Sequence, residues 1–148
     1  MTGSSIPKTA RFGRSLWAAF LLSALILGLS SCSQKMYFAR SAMVPAAQGD
    51  VRIKTDQNNN YHIQLFVRHL APSSQLTPPK QAYVVWMVTD GQGTKNIGQI
   101  QSSGSLLSKS LKATLSTVSV FKPNSFFITA ENDPATKYPG TPIVLQTR

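Results

Sequence analysis

From Gly49 onward apolar and polar residues alternate with period two, the pattern of half-buried strands. In "DVRIKT", Val51 and Ile53 face one way while Arg52 and Lys54 face the other. In "YHIQLFVRHL", Tyr61, Ile63, Leu65 and Val67 form the expected core face, alternating with His62, Gln64 and Arg68. Asn58, Asn59 and Asn60 tolerate left-handed backbone and predict the turn between these two strands. "AYVVWMVT" is apolar on both faces, with Tyr83, Val85 and Met87 opposing Val84, Trp86 and Val88, so a central position in a sheet is expected. Three prolines keep "APSSQLTPPK" out of any central strand, and "DGQGTK" supplies the glycines of a hairpin. "NIGQIQ", "SLKATLSTVSVF", "SFFITAE" and "PIVLQT" bring the expectation to about seven strands in about 100 residues.

That strand count and spacing predict an all-β fold, a single antiparallel immunoglobulin-like β-sandwich over residues 49–148 with little room for helices. A different pattern precedes it. Leu16 to Leu29 is an apolar run of 14 residues broken only by small ones, short of the ~20 that a spanning helix needs. Lys8, Arg11 and Arg14 stand before the run, and Ser30 and Ser31 follow it, which is the layout of a cleaved secretory signal helix over residues 1–31.

The chain's only cysteine, Cys32, comes next. "LSSC" resembles the bacterial lipobox, at which a thioether-linked diacylglycerol is added to the cysteine before cleavage in front of it. A thiol is required because sulfur is the nucleophile; small neighbours are required because the peptidase must reach an extended chain. The alternative is an incidental thiol on an uncleaved anchor. With no second cysteine, Cys32 has no intramolecular disulfide partner and builds no cysteine-based zinc cluster. Several acyl chains on one residue give stable anchoring at ~0.8 kcal/mol per buried methylene. Cys32 is therefore the candidate lipidation site, and residues 32–48 are expected to be a lipidated tether. Met36, Tyr37 and Phe38 are more apolar than a free linker needs, which leaves a short strand or a membrane-surface contact open for them.

Cleavage leaves 117 of the 148 residues, enough for one domain, and lowers the formal charge from +10 to +7. Outside the cytoplasm a basic surface meets anionic lipid headgroups, cell-wall polymer or an acidic protein face rather than nucleic acid. Solubility alone is the other explanation.

"PPKQAYVVWMVTDGQGTKNIGQI", with "GDVRI" before it and "SFFITAENDPATKYPGTPIVLQT" after it, resembles the extracytoplasmic C-terminal domain of anti-sigma-K factors. The positions that carry the likeness are Tyr83, Val85, Trp86, Gly91, Gly98, Phe126, Phe127, Thr129, Glu131, Pro139, Gly140, Pro142, Ile143, Val144 and Leu145. It spans roughly residues 49–147. That family also carries a cytoplasmic helical domain that grips the sigma factor, followed by a spanning helix, and here the lipobox stands in place of both. The resemblance implies the sensing or interaction half alone. Its shared residues are structural, with Trp86 and Phe127 as core aromatics and Gly91 and Gly140 as turn residues, and it brings no catalytic residue.

No chemistry emerges from the remaining candidates. His62 and His69 sit seven apart on one expected strand and so point to opposite faces, which prevents a shared metal within the strand. Asp50, Asp56, Asp90, Glu131 and Asp133 fall mostly in expected turns, with no pair facing across a cleft as glycoside hydrolysis needs. "GQGTKNIG" lacks the spacing of a phosphate loop, and "SSGSLLSKS" lacks a nucleophile elbow. No enzyme, metal, cofactor or small-molecule substrate is expected. Lys95, Lys109, Lys112 and Lys122 form a candidate basic patch for an anionic envelope surface, weighed against lysines that guard strand edges. The expected protein is a lipid-anchored envelope lipoprotein on the periplasmic side. Ser33 stands where an inner-membrane retention signal has Asp, which favours the outer membrane in a diderm. Its expected partners are the membrane and an envelope protein.

Overall fold

Period-two alternation resolves into nine strands among the residues that the computed structural model describes, 33–105 and 108–148. They are β1 Ser33–Tyr37, β2 Gln48–Thr55, β3 Tyr61–Arg68, β4 Ala82–Thr89, β5 Gly93–Ile100, β6 Ser103–Ser105, β7 Ser108–Ser119, β8 Pro123–Glu131 and β9 Ile143–Gln146. A single 3-10 turn, Ser73–Gln75, is the only helical element among them. The first sheet has the order β1-β2-β3-β7-β6 and the second the order β5-β4-β8-β9, with every pairing antiparallel.

The expected core face is the buried one. Val51, Ile53, Ile63, Leu65, Val67 and Ala113 from the first sheet join Tyr83, Val85, Met87, Ile100, Phe126 and Ile128 from the second in one buried cluster. Full burial of such side chains stabilises by about 1.5–3 kcal/mol each. Strand β4, apolar on both faces, lies between β5 and β8 as its pattern predicts. The Tyr83 hydroxyl donates to the Ala71 carbonyl at 2.8 Å, and burial pushes its pKa up to about 12.

Turns follow the residues available. Asn59 adopts φ 61° in the β2–β3 turn, and Gly91 and Gly93 take positive φ in the β4–β5 hairpin. Asp56 holds the first turn from inside: its Oδ1 accepts from the Asn58 and Asn60 amides at 2.8 and 2.9 Å.

Two differences from expectation stand out. There are nine strands where seven were expected: β6 was not anticipated, and β1 stood only as one alternative for Met36, Tyr37 and Phe38. Residues 32–48 were expected to be a tether, yet Ser33–Tyr37 pair along β2 from Ser33↔Lys54 to Tyr37↔Asp50. Phe38, Val44 and Ala47 are buried, and the Ser41 hydroxyl accepts from the Met43 and Val44 amides. Met36, Tyr37 and Phe38 thus take the strand alternative. Strand β1 also links the sheets: Phe38 bridges Thr147, and the Arg148 amide donates to the Tyr37 carbonyl. The leader and Cys32 lie outside the described residues.

The antiparallel register sorts the connections into two ends. One end holds the start of β1 at Ser33 and the turns 56–60, 90–92 and 120–122. Segments 39–47 and 69–81 lie at the other, where segment 132–142 also departs from β8.

Candidate functional site

Sequence patterning makes the outer face of β4 apolar, and the structure covers it. Val84 and Trp86 are fully buried there with Phe127, and Val88 packs against them. The Trp86 and Phe127 rings stack with centroids 6.2 Å apart and planes 15° from parallel. The Trp86 indole N–H donates to Thr129 Oγ1 at 2.8 Å, and the Thr129 hydroxyl donates onward to Glu131 Oε1 at 2.5 Å. The same carboxylate oxygen accepts the Gly140 amide at 2.7 Å. Asn96 Nδ2 donates to the Pro134 and Thr136 carbonyls, pinning the other side of the same loop. A Cβ at Gly140 would lie 2.7 Å from Glu131 Oε2, so a side chain there would make the carboxylate shift from its present place. The chain from Trp86 to Gly140 is a fastening for segment 132–142. Its members already bond one another; Trp86 and Phe127 are buried aromatics, whereas Gly140, expected as a turn residue, has no positive φ and instead lies against the Glu131 carboxylate.

The candidate lysines are divided. Lys95 lies on β5 opposite Met87, and its ammonium sits 4.4 Å from the centre of the Phe121 ring. Lys122 is next in sequence to Phe121, and its carbonyl accepts the Asp90 amide. Both belong to the Ser33 end. Lys112 pairs with Arg68 at the far end of β7, seven residues from Ser119, or about 23 Å at strand rise. Lys109 lies further along β7 in the same direction, and its side chain is outside the description. Of the four lysines, Lys95 and Lys122 share the Ser33 end, and Lys112 lies farther along β7.

The outer face of the first sheet carries charge that sequence reasoning did not single out. Asp50 Oδ2 lies 3.2 Å from Arg52 Nε and 3.6 Å from Lys35 Nζ. Lys35 also stands over the Tyr37 ring and Arg68 over the Phe66 ring. Asp50, Arg52, Gln64, Phe66, Thr114 and Ser116 line a shallow groove of about 450 Å³ on this face. The signal for it is present in the sequence, since the outward set of "DVRIKT" and "YHIQLFVR" is mostly polar or charged, with Phe66 the exception.

His62 projects from β3 with Nε2 3.1 Å from Asp56 Oδ2, while His69 has left β3 and takes φ 55°. Hydrogen bonds from the Asn60 amide first, then from His62, hold the Asp56 carboxyl down at about 2. Among the described residues no three His, Cys, Asp or Glu side chains converge as a metal site would require, and no helix is long and apolar enough to cross a membrane.

The fold and surfaces define an all-β protein of two facing antiparallel sheets. No known protein family, curated protein or solved structure matches the chain.

Proposed function

We propose that the chain is the precursor of a bacterial lipoprotein. Its mature domain, an immunoglobulin-like sandwich tethered through acylated Cys32, serves as a non-enzymatic interaction or sensing module of the cell envelope. The observation that carries the reading is the succession of Lys8, Arg11 and Arg14, a 14-residue apolar run, and Leu29-Ser30-Ser31-Cys32. The pairing of Ser33 with Lys54 shows that the folded domain includes the residue next to the cysteine, which supports a mature chain that keeps everything after residue 32. The likeness to the extracytoplasmic domain of anti-sigma-K factors supports sensing or protein capture, without the sigma-binding half. The protein resides on the periplasmic side of a membrane, the outer one in a diderm, and its partner is another envelope protein.

A second reading draws on the basic outer face bearing Arg52, Arg68 and Lys112. On that reading the protein is a structural lipoprotein that binds cell-wall polymer or anionic lipid.

The test has two parts. Intact mass of the purified protein is expected to show acyl chains on a chain starting at Cys32, and Cys32→Ala to accumulate as an uncleaved, unlipidated precursor; normal processing of that variant overturns the lipoprotein reading. Crosslinking in intact cells is then expected to recover one dominant protein partner, whereas recovery of wall fragments and lipid favours the second reading.

A further inference from the structure

We propose that the Ser33 end of the sandwich rests on the bilayer, with Val118, Val120 and Phe121 entering the headgroup boundary between the lysines Lys54, Lys95 and Lys122. This rests on the lipoprotein reading of Cys32 and adds an orientation to it.

The first support is the absence of a spacer. Ser33 is the first residue of β1 and is paired with Lys54, so its position is set by the first sheet. Cys32 is one residue away, ~3.8 Å between Cα atoms. A lipid on that cysteine brings this end of the domain to the membrane and leaves no length of chain for the domain to stand off or turn over.

The second support is what the same end exposes. Across the sheet, Lys54 pairs with His62 and His62 with Val118, three strand spacings from β1, or about 14 Å. Val118 is 56% exposed, Val120 69% and Phe121 37%, and they follow one another around the end of β7 into the 120–122 turn. Clustered exposed apolar side chains at the edge of a soluble domain mark a contact surface. Lysines surround them: Lys54 on β2, Lys122 beside Phe121, and Lys95 with its ammonium over the Phe121 ring. Apolar side chains flanked by long basic ones suit a bilayer boundary, where the stems stay in the apolar layer and the ammonium groups reach phosphate. Two acids share this end. Asp56 is taken up by its own turn and by His62, and exposed Asp90 is outnumbered by the three lysines.

The experiment uses the full chain expressed in a bacterium that acylates lipoproteins, then purified and placed in phosphatidylglycerol-containing vesicles. With Cys32 acylated, Val120→Cys supplies the mature chain's one free thiol for a nitroxide, and Ser74→Cys supplies the control at the opposite end. Both positions are exposed, and near-ultraviolet circular dichroism of Trp86, the mature chain's single tryptophan, verifies folding. The label at 120 is expected to be at least about fivefold less accessible to an aqueous nickel complex than the label at 74, and more accessible to oxygen, as burial 5–10 Å into the boundary requires. Equal nickel accessibility in an acylated protein overturns the orientation while leaving the lipoprotein reading in place. Dipolar broadening between two labels at 120 would identify a second copy of the chain as the occupant and also overturn it. An intact mass without acyl chains removes the lipoprotein reading, and the orientation with it.

Discussion

The two sheets share one core and differ in what lies behind them. Behind the second, Trp86 and Phe127 are buried on the outer face, and segment 132–142 is fastened there through Glu131, Gly140 and Asn96, with Thr129 linking Glu131 to the Trp86 indole. Behind the first nothing is laid among the described residues, and Arg52, Gln64, Arg68, Thr114 and Ser116 face water. A sheet buried on both faces must match its neighbours on both, so its sequence is constrained by packing. A sheet buried on one face is free to carry recognition on the other. Trp86, Phe127, Thr129, Glu131 and Gly140 lie in the second sheet and its connections. Those residues describe how the protein is built; what it does is to be sought on the first sheet and at the Ser33 end.

The largest expected effect tests that division directly. Trp86→Ala empties the centre of the covered face and unpairs Thr129 from its indole donor, and it is expected to destabilise by about 3–5 kcal/mol in chemical denaturation. Phe66→Ala, on the open face and half-buried, is expected to cost less than half as much. Equal losses would mean that the first sheet's outer face is packed as tightly as the second's. Next in size is Gly140→Ala. Its Cβ would meet both Glu131 carboxylate oxygens, at 2.7 and 3.0 Å, and drive the carboxylate off the Gly140 amide and the Thr129 hydroxyl. A loss of about 1–3 kcal/mol is expected. Hydrogen exchange should localise it to segment 132–142, leaving β1–β3 unchanged.

Much of this contrast was readable in advance. Alternation at Val51 and Ile53, at Tyr61–Val67 and along β4 identified the core face, because each strand buries one side chain in two and β4 buries nearly all. The sequence leaves strand β1 as one of two alternatives because an edge strand contributes mainly backbone: only Met36 of its five residues is even half-buried, so no apolar alternation marks it. Strand β6, Ser-Gly-Ser, has no side-chain pattern at all. Trp86 and Phe127 were recognised as buried aromatics, but their separate cluster was not. The clue was that a strand apolar on both faces requires something to cover its outer face. Nearness in sequence does not show that β7 carries Lys112 about 23 Å from the strand end at Ser119.

Asp56 brings pH into the contrast, since it fastens a turn of the first sheet. Its carboxyl falls from 3.8 to about 2, chiefly through the Asn60 amide and then His62, so the folded state binds that proton more weakly than the unfolded chain. The stabilisation is therefore present in full above pH ~4 and lost as pH falls through about 2. Denaturation midpoints of the wild-type protein and Asp56→Ala are expected to differ most at pH 5–7 and to converge toward pH 2. A gap that stays constant with pH would assign the loss to the turn's geometry rather than to the charge.

The smallest expected effect is on the open face, where charge is most visible. Asp50 lies within 3.2 Å of Arg52 and 3.6 Å of Lys35, but the two basic side chains are 59% and 37% exposed. Water and salt screen such pairs, and ordering two long side chains offsets much of the attraction. Arg52→Ala and Lys35→Ala are each expected to change stability by no more than about 0.5 kcal/mol, less still in high salt. A face whose charges contribute so little to folding can change them for the sake of a partner. A loss above about 1.5 kcal/mol from either substitution would instead make Asp50 a fastening of the same kind as Glu131, and the contrast between the two sheets would fail at that point.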